Sequence, residues 1–308
     1  MPVNVLTPAA RLSGTPGVAV TEADVDPVTQ ISYVSAGHNY VLLFDGTSWR
    51  PRQMTSEPTL VLNASTHLAN KEFSVFACFD SNTVKIGTGP AWANSTTVGT
   101  GAGTSETEVF EGVRVNKFSI TLTLTGGSTI TIPARQARLI GGFATTSIAG
   151  QTADSKAKRL LSNEDNAVPR AMVRTEPTDT WVGGIADTWI KARASALNVL
   201  EVFQIGGGRA TKADVVGIAV ATDVGGTIAV GVGIDSDTPH VDCIKQRTVQ
   251  QSAGFRLFCV SSWAGSLGIG RHQMRWLEAV GSVGGYTWSG DQGNNLFNQS
   301  GIRGEVIN

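Results

Sequence analysis

The sequence predicts an all-β protein, with a β-sandwich or jelly-roll-like C-terminal part and a smaller β-rich N-terminal part. Charged residues make up only 16% of the chain, and 36 of its 308 residues are glycine, which is a poor helix former. Short apolar or alternating segments recur along the chain between Gly-rich turns, which is typical of sandwiches and barrels. Hydrophobic residues, at 41%, are numerous enough to form a core, which argues against a disordered chain.

The first predicted strands belong to the N-terminal part. Residues 30–34 are apolar and rich in β-formers, and residues 39–44 run directly into Asp45-Gly46. Asp-Gly between two apolar segments predicts a hairpin with a type I′ turn, because both central residues of that turn need a positive φ. Residues 72–79 predict a further strand, and residues 80–82 a turn.

A second N-terminal hairpin alternates between apolar residues and Thr or Ser. Its arms are residues 117–124 and 128–132, joined by Thr-Gly-Gly, so one face is expected to be polar. The next residues, 133–138, break this pattern. We therefore predict a domain boundary between an N-terminal part at 1–138 and a C-terminal sandwich at 139–308.

Helix is expected to be scarce, and residues 152–161 are the best candidate for a short one. Thr152 could cap this helix, and Lys158 with Arg159 would favour its C-terminal end. The same residues could equally form a loop that enters a strand.

Two hairpins are predicted in the C-terminal part. The first joins residues 214–222 to residues 227–234 around Gly-Gly, and its arms are rich in Val, Ile and Ala. The second joins residues 272–280 to residues 286–289 across a Gly-rich connection. Strands of this length between Gly-rich turns predict a sandwich.

Charge and hydropathy exclude several classes of partner. The net charge is −1 and no polybasic run occurs, so nucleic-acid binding has no electrostatic basis. No apolar run approaches the roughly 20 residues of a membrane-spanning helix, so no membrane insertion is expected. The first residues lack the basic and apolar regions of a secretory signal. Three widely spaced cysteines argue against a disulfide framework and predict buried thiols in a reducing compartment.

Few residues are spaced as catalytic or metal sites require. His240, Asp242 and Cys243 are the closest approach to a metal site, but the prediction after Pro239 is a loop without metal. Glu278 and Asp291 could form a pair of acids of the kind that hydrolyses glycosides. No nucleophile elbow or complete phosphate-binding loop is found. We therefore predict no catalytic residues and no cofactor.

The seven tryptophans are more informative than the acids. Trp276 and Trp288 fall on the two arms of one predicted hairpin, where they could pack as cross-strand neighbours in the core. The alternative is an exposed ring on which a sugar or a partner subunit stacks. Both interpretations stay open at the level of sequence.

The segment around Trp288 carries the candidate binding residues. An exposed Trp288 would stack on a sugar face, and Asp291, Gln292, Asn294 and Asn295 would bond its hydroxyl groups. These five residues form a possible glycan-binding site on a hairpin and the loop after it. In the alternative, Trp288 is buried and the polar run is a solvated turn.

Several segments together resemble a family of tailed-bacteriophage virion proteins. That family shares short elements of the types L-Y-D-G-x-x-W, Y-D-V-F-A-Y-D, G-P-A-W, G-Q-T-E-D-S-x-A-K-R, D-S-W, V-G-I-G, G-x-H-x-x-x-W-L-E and S-G-I-x-G. In order, the matching segments here are residues 40–49, 72–80, 89–92, 150–159, 179–181, 230–234, 270–278 and 300–304. Two departures are Ala153, where Glu is usual, and residues 161–166, where the family has W-N-x-Y-N-R.

The resemblance implies a structural role in a virus particle and carries no catalytic residue. It predicts a phage virion protein, assembled in the host cytoplasm, whose fibre subunits take part in attachment to the host surface. In that arrangement the N-terminal part would serve attachment or assembly within the particle. Other virion proteins of the capsid or tail would be its partners, and a host surface glycan a possible ligand. The alternatives are a capsid decoration or head-fibre protein and a glycan-degrading tailspike-type enzyme.

The low charge also bears on the oligomeric state. A free monomer relies on surface charge for solubility, and strand faces of Thr and Ser with few charges can pack on another subunit. Closed oligomers cover the exposed edges of their sheets. We therefore predict a homo-oligomer, specifically a homotrimer.

Overall fold

The computed structural model describes residues 10–93, 106–221, 223–249, 251–252, 254–282, 285–291 and 299–308. Its strands up to residue 132 are β1 (Ala10–Ser13), β2 (Val25–Val28), β3 (Gln30–Ser35), β4 (Tyr40–Phe44), β5 (Trp49–Gln53), β6 (Thr59–Val61), β7 (Glu72–Asp80), β8 (Thr83–Thr88), β9 (Thr107–Phe110), β10 (Val113–Asn116), β11 (Ile120–Thr123) and β12 (Thr129–Ile132). The next are β13 (Arg138–Ala144), β14 (Thr152–Asp154), β15 (Lys158–Arg159), β16 (Leu161–Asn163), β17 (Pro169–Thr175), β18 (Thr180–Val182), β19 (Ile190–Lys191) and β20 (Val199–Gln204). The last are β21 (Ala210–Ala221), β22 (Thr227–Ile234), β23 (Ile244–Lys245), β24 (Arg247–Val249), β25 (Arg256–Ser266), β26 (Gly270–Val280), β27 (Tyr286–Ser289) and β28 (Gly301–Ile307).

The all-β prediction is confirmed. Within the described residues, helix is limited to two short 3₁₀ segments, Thr125–Gly127 and Ala192–Ala194. The alternating hairpin is confirmed as β11 and β12. Its outer face is polar, with the hydroxyl groups of Thr121 and Thr131 3.2 Å apart.

The helix predicted at residues 152–161 is wrong, because this segment forms β14, β15 and the start of β16. The hydroxyl of Thr152 donates to the carbonyl of Ala144 at 2.6 Å, and Asp154 forms a buried ion pair with Arg159 at 2.7 Å. These tertiary partners outweigh the weak local preference for a helix.

The strand β7 lies in the middle of the main N-terminal sheet, whose order is β12-β11-β8-β7-β13-β10-β9. Its side chains alternate between two cores. Phe73 and Val75 pack with the three-stranded sheet β1-β3-β6, whereas Phe76 packs with Phe203 of β20. A strand covered on both faces reads as a continuous apolar run, which is why the sequence predicts it well.

The hairpin at Asp45-Gly46 is confirmed as β4 paired with β5, but its predicted turn type is wrong. Of these two residues only Gly46 has a positive φ, and the Asp45 carboxylate accepts the N–H of Thr47 at 3.0 Å. The pair of positive φ angles that a type I′ turn needs occurs instead at Ser81 and Asn82, between β7 and β8.

Two sheets form the C-terminal sandwich. We call them the β26 sheet, ordered β2-β14-β15-β20-β26-β22-β24, and the β21 sheet, ordered β17-β28-β21-β25-β23. Strand β27 extends the second sheet by pairing with both β21 and β18. The core between them contains Val215 of the β21 sheet and Val230, Val232 and Trp276 of the β26 sheet.

Both hairpins predicted in the C-terminal part are wrong. Strand β21 pairs with β25, β27 and β28, whereas β22 pairs with β24 and β26, so the connection between β21 and β22 crosses from one sheet to the other. Strands β26 and β27 are likewise in different sheets. A Cβ on Gly217 would lie 2.6 Å from Val230, so β21 and β22 pack face to face across the core. Alternating small and branched residues fit facing layers as well as neighbouring strands.

Strands from both sides of residue 138 pair with one another. Arg138 is the first residue of β13, which pairs with β7 along six registered residue pairs and with β16. The N-terminal strand β2 in turn pairs with β14 of the β26 sheet. Since β14 and β15 of the β26 sheet precede β16, the two sets of sheets interleave along the chain, and the domain boundary between 138 and 139 stays a prediction.

Candidate functional site

Three tryptophans form a cluster in the C-terminal core. The rings of Trp181 and Trp288 are stacked, with centroids 6.4 Å apart and an interplanar angle of 11°. Trp181 also contacts the ring of Trp276 edge to face at 6.0 Å. Trp288 lies on β27, opposite Trp181 of β18 in register. The sequence prediction of a direct Trp276–Trp288 pair on one hairpin is replaced by a chain of contacts through Trp181.

Of the two alternatives for Trp288, the structure shows the buried one. Its side chain has 0% exposure, and the space that it occupies is left by two glycines. A Cβ on Gly183 would lie 2.5 Å from Cδ1 of Trp288, and a Cβ on Gly217 would lie 3.0 Å from its Cζ3. The buried ring therefore presents no face to a ligand.

The rest of the candidate glycan segment is only partly described. Asp291 is half-buried and directly follows the end of β27 and Gly290. Gln292, Asn294 and Asn295 lie outside the described residues, so glycan binding by this segment stays a prediction.

Glu278 lies in the same cluster as the tryptophans and is completely buried. Its carboxylate accepts the indole N–H of Trp181 at 3.1 Å and the backbone N–H of Arg193 at 3.2 Å. The pKa of Glu278 is raised to about 7, mainly by burial. The hydrogen bonds from Arg193 and Trp181 lower the pKa, and the nearby charge of Glu176 raises it. The acid that acts electrostatically on Glu278 is thus Glu176, which sequence spacing did not suggest.

Glu176 is the charged partner of this arrangement. Although burial opposes its ionisation, hydrogen bonds from Asn198 and Thr178 and the charge of Arg193 lower the pKa of Glu176. Arg193 bonds Glu176 at 2.9 Å and has a positive φ of 57°. The geometry therefore separates one ionised acid from one that gains a proton near neutral pH. Glu278 has no exposed surface through which a substrate could reach it.

The His240, Asp242 and Cys243 segment forms a loop, as predicted. His240 accepts the indole N–H of Trp263 at 3.1 Å, and the buried thiol of Cys243 lies 2.9 Å from the Ser261 hydroxyl. Across the described ranges, no group of three His, Cys, Asp or Glu side chains could hold a metal ion.

A buried ionic network joins the N-terminal strands to the C-terminal sandwich. Asp154 pairs with Arg159 at 2.7 Å and with Arg170 at 3.2 Å, and all three side chains are at most 10% exposed. Arg170 also donates to the carbonyl of Thr21 at 2.6 Å. Burial, followed by the charge of Arg170, lowers the pKa of the neighbouring Arg11 to about 10. One carboxylate therefore offsets the charge of more than one buried guanidinium.

The segments that resemble virion proteins meet one another in the interior. Trp92 of the G-P-A-W segment donates its indole N–H to the hydroxyl of Ser74 in the strand segment before it, at 3.0 Å. Trp181 and Glu278, from the D-x-W and W-L-E segments, bond across the C-terminal core. Asp154 and Arg159 bond within one segment. Contacts within and between these segments thus hold strands and sheets together.

Comparisons with known proteins identify no family. No family model matches the chain, and no curated protein does. The chain is similar to the structure of the infectious bursal disease virus Gx strain at 9% identity and a TM-score of 0.29, covering 92% of this chain and 65% of that chain. For the VP2 subviral particle of the same virus, the identity is 11% and the TM-score 0.26, with 88% of this chain and 64% of that chain covered. For a Cry1Da tryptic core variant of Bacillus thuringiensis, the identity is 9% and the TM-score 0.23, with 91% of this chain and 48% of that chain covered.

The chain spans slightly less than two thirds of the two viral chains and about half of the toxin chain. At these identities and scores the likeness carries no argument about function. No helix in the described ranges is long and apolar enough to cross a membrane.

Proposed function

We propose that this protein is a non-catalytic structural subunit of a virus particle. One observation carries the proposal: the residues that define the resemblance to virion proteins form buried contacts between strands. The Trp92–Ser74 and Trp181–Glu278 hydrogen bonds both join segments that the resemblance shares. Such shared interior contacts indicate a common framework, and the structural role itself is what the resemblance to virion proteins implies.

The all-β fold supports the same role. Strand β2 of the N-terminal part pairs with β14 and so belongs to the β26 sheet. The buried ion pairs of Asp154 also connect the two parts. A particle subunit has to resist opening over long periods, and long-range strand pairing of this kind makes partial unfolding costly.

The finer proposal is a fibre subunit in a tailed-phage particle that contributes to attachment at a host-surface glycan. The sequence resemblance supports it, and the polar segment after β27 remains its candidate ligand-binding region. A location on the head, as a decoration protein or head fibre, is the alternative.

Antibody labelling of particles tests both levels of this proposal. Gold-labelled antibody against this chain should decorate particles of the virus that encodes it, and should leave particles from a deletion strain unlabelled. Label on the tail supports the fibre, whereas label on the head supports decoration. An unlabelled intact particle together with abundant protein in the lysate would contradict a structural role.

The tailspike-type enzyme is tested separately. The protein should release no oligosaccharide from host surface polysaccharide, and Glu278→Gln should leave that result unchanged. Oligosaccharide release by the unmodified protein would overturn the non-catalytic proposal.

A further inference from the structure

The outer faces of the two sheets in the C-terminal sandwich differ in chemistry. The β26 sheet presents a charged network, in which Arg271 pairs with Glu201 at 2.9 Å and Arg275 pairs with Asp237 at 2.9 Å. An antiparallel sheet that faces water normally carries such polar side chains on its outer face. The outer face of the β26 sheet is therefore rich in ion pairs, and Arg271 also donates from it to the carbonyl of Thr145 at 3.4 Å.

The outer face of the β21 sheet instead carries several large apolar side chains that are exposed. Phe258 and Val260 of β25 are 57% and 52% exposed, Ile244 of β23 is 73% exposed, and Val173 of β17 is 39% exposed. Val216 of β21 lies directly opposite Val260 in register. The remaining positions of these rows are Ala171, Thr175, Ser262, Ala264 and Gly301. Large exposed apolar side chains gathered on one sheet face mark an interaction surface.

Four charged residues cross the middle of this face in two rows. Strand pairing sets Asp214 beside Arg303 and Lys212 beside Glu305. The two pairs have N···O distances of 3.6 Å and 3.5 Å, and all four side chains are at least 41% exposed. Their charges sum to zero, and the order of the signs reverses from one row to the next.

This reversal makes the face complementary to itself. A two-fold axis that runs parallel to the strands, between β21 and β28, exchanges these two strands across a face-to-face contact. It sets each Arg303 against Asp214 of the second copy and each Glu305 against Lys212 of the second copy. Isologous contacts of this kind are the commonest in homo-oligomers.

The size of the face suits such a contact. Five strands of 2 to 12 residues, about 4.8 Å apart and about 3.4 Å long per residue, give a footprint of about 640 Å². A standard interface buries about 800 Å² on each partner. A shallow groove of about 460 Å³, lined by Asp214, Val216, Ile244, Val260 and Arg303 among others, lies at its centre.

From these observations we infer that the outer face of the β21 sheet binds a second copy of this chain through an isologous, two-fold contact. The inference rests on the proposed structural role, because a particle subunit needs contacts between copies. It makes the basic unit a dimer, which differs from the trimer expected from the sequence.

Native mass measurement of the full chain at micromolar concentration tests this contact. The unmodified protein should be a dimer, and Val260→Glu should raise the dissociation constant at least about tenfold, because it buries an unpaired carboxylate against β17 of the second copy. Val109→Glu is the matched control: Val109 is a strand valine that is 65% exposed and lies outside this face, so the variant should stay dimeric. Circular dichroism and melting should show that both variants fold.

A charge exchange tests the geometry of the contact without adding charge to the apolar region. Asp214→Arg alone should weaken the dimer, because the new guanidinium lies beside Arg303 of its own chain and faces Arg303 of the second copy across the axis. Asp214→Arg together with Arg303→Asp should restore the dimer. A dimer unaffected by Val260→Glu and Asp214→Arg, a trimer, or a monomeric unmodified protein would overturn the inference. None of these outcomes alters antibody labelling of particles, so the two proposals fail separately.

Discussion

Replacing Glu278 by glutamine should remove a pH dependence of stability that originates in the C-terminal core. The carboxyl of Glu278 has 0% exposure, and burial raises its pKa from 4.5 to about 7. In the unfolded chain this group titrates near its ordinary value. Between these two values the folded protein therefore binds more protons than the unfolded one.

This difference in bound protons determines the direction in which the free energy of unfolding changes with pH. The free energy of unfolding falls as the pH rises from about 4.5 to about 7, and it is then constant for this group. At 1.36 kcal/mol per pKa unit, the loss attributable to Glu278 is about 3 kcal/mol. Glutamine keeps an oxygen that can accept the Trp181 hydrogen bond and carries no charge.

Urea denaturation at pH 5 and pH 8 measures this effect. The stability of Glu278→Gln relative to the unmodified protein should increase by about 3 kcal/mol between the two pH values. Glu106→Gln, which alters an exposed acid, should show no such change. A difference for Glu278→Gln that is the same at both pH values would refute the assignment of a protonated buried carboxyl.

Three further substitutions test the framework by thermal or urea unfolding. Trp288→Ala should cost about 3–5 kcal/mol, since the ring is fully buried; a loss below about 1 kcal/mol would show that the ring is exposed. Asp154→Asn should cost about 3–5 kcal/mol by leaving buried guanidinium groups unpaired, whereas Asp26→Asn, at a half-exposed ion pair, should cost at most about 1 kcal/mol. Equal losses for these two aspartates would contradict the network. Gly217→Ala should cost about 1–3 kcal/mol, because its Cβ would lie 2.6 Å from Val230, and an unchanged melting temperature would count against the face-to-face packing of β21 and β22.

Much of the fold was predictable because its signals are local. The run at residues 72–79 predicted β7, and the alternation in residues 117–132 predicted the β11–β12 hairpin with its polar face. Both depend only on which side of one strand is buried. The turn at Asp45-Gly46 shows the limit of such signals, because the Asp45 side chain selects a different turn through its own hydrogen bond to Thr47.

The errors concern features that depend on distant residues. Residues 152–161 form strands because their partners include Arg170, which local propensity does not register. The two C-terminal hairpins were misjudged because period-two burial does not say whether successive strands are neighbours or lie in opposite layers.

The candidate site was predicted only in part. The sequence identified Glu278 and Trp288 as residues of interest, but paired the first with Asp291 and left the burial of the second open. Glu176 and Arg193, which complete the buried network, are far away along the chain and carry no local motif. Only the crossing of the chain between the two sheets brings them together.

Quantitative mass spectrometry of gradient-purified particles can establish whether this chain is a structural component of a virus particle. The chain should sediment with the particles at a fixed, reproducible copy number relative to their major structural protein, and that copy number should survive a high-salt wash. Recovery of the chain only in the soluble fraction, with intact particles free of it, would show that it is not a structural component.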